Sequence, residues 1–106
     1  IMRTFYLAAI ASCLAAAPAV HASEALAQKG GCAGCHAKDR KMVGPAFQEI
    51  AAKYKGQKDA AGQLAAKVRS GTTGTWGTLA MPPSGADKIS DADLKAVIEW
   101  VLKGAG

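Results

Sequence analysis

The chain has 106 residues, half of them apolar, and 13 lysines and arginines against 8 aspartates and glutamates, a formal net charge of +5. That length admits one small domain plus whatever is removed in processing, and it excludes a multidomain enzyme. Of 24 alanines, eight fall in the first 22 residues, so the overall apolarity overstates what is available for a packed core.

The first element in chain order is a leader. Arg3 supplies a basic start, Phe5 to Ala17 an apolar run, and Val20-His21-Ala22 a small-residue cleavage site. The run is short for a membrane span, which takes about 20 residues. Residues 1–22 are therefore expected to be an export signal cut after Ala22, leaving residues 23–106 as one domain. An alternative takes Ile10-Ala11-Ser12-Cys13 as a lipoprotein processing site, with Cys13 as the lipidated first residue. Either route exports the chain.

Glycines then punctuate four stretches with helical spacing. The first, Ser23 to Lys29, carries Leu26 and is ended by Gly30-Gly31. A second follows Gly44-Pro45, with Phe47, Ile50, Ala51 and Tyr54 on one face and Gly56 as its stop. The third, Asp59 to Ser70, aligns Ala61, Leu64, Ala65 and Val68 and stops at Gly71. The last, Asp91 to Lys103, has Ser90 as its cap, Asp93 at the third position, and a stripe of Leu94, Val97, Ile98 and Val101. No segment alternates with a period of two, so the expected class is all-α. Between the third and fourth helices, Gly71 to Ala86 shows no periodicity. Loops of that length in small domains are usually functional, and glycine-rich backbone stays ordered only when something anchors it.

The four aromatics after the leader, Phe47, Tyr54, Trp76 and Trp100, are few for a domain whose core alone is marginal. A bridge between Cys32 and Cys35 would close too small a loop to compensate. The chemistry is concentrated in the same place: Cys32-Ala33-Gly34-Cys35-His36 is the C-x-x-C-H attachment signature of c-type haem. Two residues between the sulfurs match the two vinyl positions of the macrocycle, and His36 follows on the turn that carries its imidazole to the iron. Zinc would want a fourth ligand, and no cysteine or histidine remains after the leader to supply one. A redox-active C-x-x-C expects a strand–helix context and leaves both His36 and the long loop unexplained.

If His36 holds one axial position, the second ligand is a methionine, a lysine or none, since His21 departs with the leader. Met42 lies six residues from His36, a reach of about 21 Å fully extended, and would have to wrap round the haem edge; it reads better as a partly buried filler. Met81 lies in the aperiodic loop, where Pro82-Pro83 stiffens the backbone beside it, and is the expected ligand. Trp100 reads as core packing on the last helix. Trp76, among glycines and threonines, needs a hydrogen-bond acceptor if it is buried at a haem edge.

On these residues the chain resembles the class I c-type cytochromes, specifically the short bacterial single-haem group that carries electrons in the periplasm. The resemblance covers essentially all of Ser23–Gly106: Cys32-Ala-Gly-Cys35-His36, Val43-Gly44-Pro45, Trp76-Gly77, Met81-Pro82-Pro83, and a terminal helix with Trp100. It implies that the first and last helices cross, that the carbonyl of Pro45 accepts a hydrogen bond from His36, that Trp76 donates to a haem propionate, and that Lys67 is a basic propionate partner. Ser84 departs from the pattern, since many members carry Asn after Met-Pro-Pro, with its amide against the ligand sulfur.

The expectation is a small all-α fold, about four helices wrapped around one covalent haem c, with the macrocycle completing a core of Phe47, Ile50, Leu64, Val68, Leu79 and Leu94. With both axial positions filled by protein, the iron shuttles single electrons between respiratory redox proteins and no small-molecule substrate reaches it. The alternatives are a haem enzyme or gas sensor with an open sixth site, and a thiol–disulfide oxidoreductase. Lys29, Lys38, Arg40, Lys41, Lys53, Lys55 and Lys58 flank the attachment site in sequence and suit an acidic redox partner protein, a respiratory reductase or oxidase or a membrane or soluble donor. Lys38 and Lys41 are the cations singled out for reversal. Nucleic acid is not expected, and contact with a membrane only through transient docking.

Overall fold

The computed structural model describes residues 19–106. Most of the expected leader, with Cys13 and the lipoprotein alternative, lies outside them. Helix α1 spans Ala19–Lys29, so it begins four residues before the expected Ser23 and runs through the expected cleavage position. Among the described residues no helix is long and apolar enough to cross a membrane.

Each helix ends where the backbone is given a reason to stop. Gly31 takes φ 83° after α1, and the chain turns through a short 3₁₀ segment, Cys32–Gly34. Helix α2, Phe47–Tyr54, follows Pro45 and Ala46. Helix α3, Ala60–Ser70, stops at Gly71, φ 76°. There a Cβ would stand 2.7 Å from the carbonyl oxygen of Met81 and 3.0 Å from Pro83 Cδ. That position therefore requires glycine twice over, for its left-handed backbone and for the closeness of the loop. Helix α4, Asp91–Leu102, starts as expected: the Ser90 hydroxyl accepts from the Asp93 amide at 3.2 Å.

The stretch after α3, expected to be irregular, contains an antiparallel hairpin of β1, Thr72–Gly74, and β2, Gly77–Met81. Thr72 pairs with Met81 and Gly74 with Gly77, with a register shift between the two pairs that accounts for the unequal strand lengths. The turn is Thr75-Trp76 between two positive-φ glycines. Among the described residues the other regular elements are helical, so the hairpin sits between α3 and α4 of a four-helix fold.

Helix α4 is the organiser: α1, α2 and α3 all pack on it. Its stripe of Leu94, Val97, Ile98, Trp100 and Val101 is buried with Ala27 of α1, Phe47 of α2, and Ile89 and Ala105 to either side of α4. The nine residues from Pro82 to Ser90, without regular structure, are held to α3. The Ser84 amide donates to the Val68 carbonyl at 2.9 Å. Arg69 Nη1 donates to the carbonyls of Ser84 and Ile89 at 3.2 and 2.8 Å, and Nη2 to Asp91 Oδ1 at 2.7 Å.

Candidate functional site

Helices α2, α3 and α4, the 3₁₀ turn with the segment after it, and the hairpin line a cavity of about 520 Å³. Cys32, Cys35 and His36 border it on one side, and Trp76, Leu79 and Met81 of the hairpin line it as well. All six side chains expected to surround a macrocycle, Phe47, Ile50, Leu64, Val68, Leu79 and Leu94, line this one cavity, as does Lys67. Leu79 is 65% exposed on β2.

The side chain of His36 is buried to 9% exposure, and its Nδ1 lies 2.7 Å from the carbonyl oxygen of Pro45. A carbonyl can only accept, so Nδ1 carries a proton, and in the neutral ring it is then Nε2 that offers the lone pair, the tautomer of an imidazole ready to ligate a metal. The ring is held on its other sides too. Phe47 stacks on it with centroids 5.3 Å apart. Gly44 lies so close that a Cβ there would be 2.6 Å from His36 Cε1. The backbone assists: the Gly44 amide donates to the Cys35 carbonyl at 2.8 Å and the Phe47 amide to that of Ala37 at 2.9 Å. These bonds fold the segment from Cys35 to Phe47 back on itself, which brings Pro45 under the imidazole although nine residues separate them.

The two cysteines are free thiols on the 3₁₀ turn and the residue after it, Cys32 half-buried and Cys35 exposed. Burial pushes the Cys32 thiol up from its ordinary value, partly offset by a backbone hydrogen bond. A thiol-exchange nucleophile needs a lowered value, and the C-x-x-C of such an enzyme follows a strand; here it follows α1. Among the described residues no group of three or more His, Cys, Asp or Glu side chains is placed to hold a metal ion. Two thiols beside one oriented imidazole, opening on an apolar cavity, fit a covalently held haem.

Met42, 42% exposed, does not border the cavity. Met81 does, at the end of β2, where Thr72 pairs with it. Trp76 borders it from the hairpin turn, with Lys53 Nζ 5.3 Å above its ring. Trp100 is buried against Phe47, centroids 5.4 Å apart, and its Nε1 has no hydrogen-bond partner among the described residues. Ser84 makes its described hydrogen bonds through its backbone, one as donor and one as acceptor.

One cation requires correction. Lys38 is not a free surface charge: its Nζ donates to Glu24 at 2.9 Å and lies 6.0 Å above the Trp100 ring, tying the segment after His36 to α1. Reversing it would break a structural contact, so it is no probe of docking. Lys41, by contrast, borders the cavity, as does Lys67. Sequence reading also missed the roles of Gly44 and Arg69. The Val43-Gly44-Pro45 motif marked the first as a special position without saying what it approaches. Arg69 gave no signal, since its partners lie 15 to 22 residues away.

The comparisons with known proteins agree with this geometry. The family model described as cytochrome c oxidase, cbb3-type, subunit III, matches residues 18–101. Cytochrome c2 of Rubrivivax gelatinosus is 54% identical over 78 residues, 74% of this chain and 92% of that protein. Cytochrome c-552 of Nitrosomonas europaea is 44% identical over 102 residues, 95% of this chain and 97% of the relative. The crystal structure of the Nitrosomonas europaea cytochrome c552 superposes with a TM-score of 0.72 at 46% identity, covering 76% of this chain and 98% of that one. With its oriented imidazole, paired thiols and apolar cavity, the chain belongs to the cytochrome c family and is, like the c-551 and c-552 proteins it resembles, a single-haem electron carrier and not an enzyme.

Proposed function

We propose that the protein is exported, cut after Ala22, and works in the periplasm, where Cys32 and Cys35 would hold one haem through thioether bonds and His36 and Met81 would ligate its iron. When bound, the haem supplies a one-electron couple between ferric and ferrous iron, and the rest of the site belongs to the chain. His36 presents Nε2 because Pro45 occupies Nδ1. Met81 supplies a thioether, a ligand type that raises the reduction potential. The apolar walls exclude water, which favours the state of lower charge on the metal. Trp76 and Lys67, both on the cavity, would serve the propionates, one as an N–H donor and one as a cation. The observation that carries this reading is the convergence on one cavity of an imidazole with a fixed tautomer and a proline-flanked methionine 45 residues away in sequence.

Absorption spectra of the purified protein, oxidised and reduced, with a pyridine test for covalent haem, check it. The expected result is one haem retained after acid–acetone extraction, a sulfur-to-iron charge-transfer band in the ferric form, and no binding of carbon monoxide to the ferrous form. Free thiols at both cysteines, or ready carbon monoxide binding, would overturn it.

The partners we propose are acidic redox proteins that meet the cavity mouth. Lys41 and Lys67 border the cavity and Lys53 covers Trp76 at its edge, while Glu49 is the acidic side chain there. Positive charge in excess at the mouth speeds encounter without slowing release.

A further inference from the structure

We propose that Arg69 is a positioning residue for Met81, holding the ligand segment closed against the end of α3; this rests on the reading of Met81 as an axial ligand. Pro82 and Pro83 have no N–H, so the first backbone donor after Met81 is that of Ser84. That donor is engaged, by the Val68 carbonyl at 2.9 Å. Arg69, the next residue of α3, then grips both ends of the irregular stretch: the carbonyl of Ser84 at 3.2 Å, three residues from Met81, and that of Ile89 at 2.8 Å, at the approach to α4. Met81 itself pairs with Thr72, and Gly71 leaves room for its carbonyl, which a Cβ there would approach to 2.7 Å. These ties thus come from the last turn of α3, through Val68 and Arg69, and from Gly71 and Thr72 just after it.

Two of the three Arg69 contacts are part-buried and reach backbone carbonyls, where a planar fork with fixed donors is hard to replace. The third reaches Asp91, whose side chain is 95% exposed, and such pairs contribute little. The carbonyl contacts therefore do the positioning, and the Asp91 contact is incidental. If the segment opens and closes, an external ligand reaches the iron in the open state alone, and its apparent affinity scales with the open fraction.

The test uses the intact haem protein, with imidazole as the external ligand of the ferric form and amide exchange at Ser84 as a readout independent of it. Arg69→Gln is expected to raise imidazole affinity and Ser84 exchange by about tenfold each, the low end of what one charge-assisted hydrogen bond is worth. Arg69→Lys should move both in the same direction by less, and Asp91→Asn should leave both within about twofold, as for an exposed pair. Met81→Ala is the control for the underlying reading: if it leaves imidazole affinity and the charge-transfer band unchanged, Met81 is not the ligand. If Met81→Ala binds imidazole tightly while Arg69→Gln binds as the parent does, the reading of Met81 stands and Arg69 has no positioning role. Should Arg69→Gln fail to fold, Arg69→Lys decides: a lowered Tm with unchanged affinity and exchange makes Arg69 a structural tie between α3 and α4 and overturns the proposal.

Discussion

The orientation of His36 rests on three neighbours of different chemistry: a carbonyl that takes the Nδ1 proton, an aromatic ring stacked on the imidazole, and a glycine that leaves room for it. Gly44→Ala tests the third. Its φ is not in the left-handed region, so the cost is steric; the ring it strikes is fixed by Pro45 and Phe47 and has nowhere to go. We expect a loss of about 2 kcal/mol, typical of overpacking, seen in thermal unfolding, together with a shift of the reduction potential in voltammetry. At the proposed second ligand, Met81→Ala should abolish the charge-transfer band and lower the potential, whereas Met42→Ala, at an exposed position away from the cavity, should change stability by less than about 0.5 kcal/mol and the potential not at all. That Cys32, Cys35 and His36 share one cavity was legible in the sequence because they lie within five consecutive residues. Phe47 was legible as a core residue but not as the stack on His36, because that contact depends on how the segment from Cys35 to Phe47 folds back.

Helices α2, α3 and α4 lie within a residue or two of their expected bounds, since their ends are written in local residues: Pro45, Gly56, Gly71 and the Ser90 cap. Ser90→Ala should cost about 1 kcal/mol, or about 4–8 °C in Tm for a domain of this size, with the potential unchanged because the cap lies at the far end of the irregular stretch from Met81. The hairpin was not legible. An alternation of apolar and polar residues requires one buried face, and in β2 residues 77–80 are all exposed with Met81 alone half-buried. What orders these strands is their pairing and the approach of Gly71 to the ligand segment, neither of which leaves a periodic trace. Helix α1 was placed too short for a different reason: Ala19 to Ala22 were assigned to the leader, yet their backbone continues the helix.

Core and site are not separable in this molecule. Phe47, Leu94, Val97, Ile98 and Val101 belong to the buried cluster and also line the cavity. With nothing bound, these same side chains lose their packing partners along an apolar cavity of about 520 Å³, and the stability of a small domain leaves little margin for that loss. Replacing Cys32 and Cys35 with Ala, so that haem is not retained, should therefore leave a chain with little helical signal in far-UV circular dichroism at 25 °C; a native-like spectrum would show that the helices close the core unaided. Charge acts at the same scale. Electron transfer to an acidic partner should slow as ionic strength rises, because attraction is screened within about 10 Å at 0.1 M salt. Lys41→Glu should cut the second-order rate while preserving spectrum and potential, and a rate indifferent to both salt and that reversal would assign docking to apolar contacts. The net charge was legible in the sequence, but which cations are free was not: only the fold shows Lys38 committed to Glu24 and Lys41 at the cavity mouth.

The placement of the two indoles gives the molecule a built-in optical gauge of its own folding. Trp76 borders the cavity, and Trp100 is separated from His36 by the single ring of Phe47. A haem held in that cavity would absorb where tryptophan emits and would drain the excitation of both by energy transfer, so the native protein is expected to be nearly dark. Emission returns as the indoles move away. Trp76 reports release of the hairpin and Trp100 the parting of α2 from α4, and comparing Trp76→Phe with Trp100→Phe as denaturant is raised would show whether the ligand side lets go before the core.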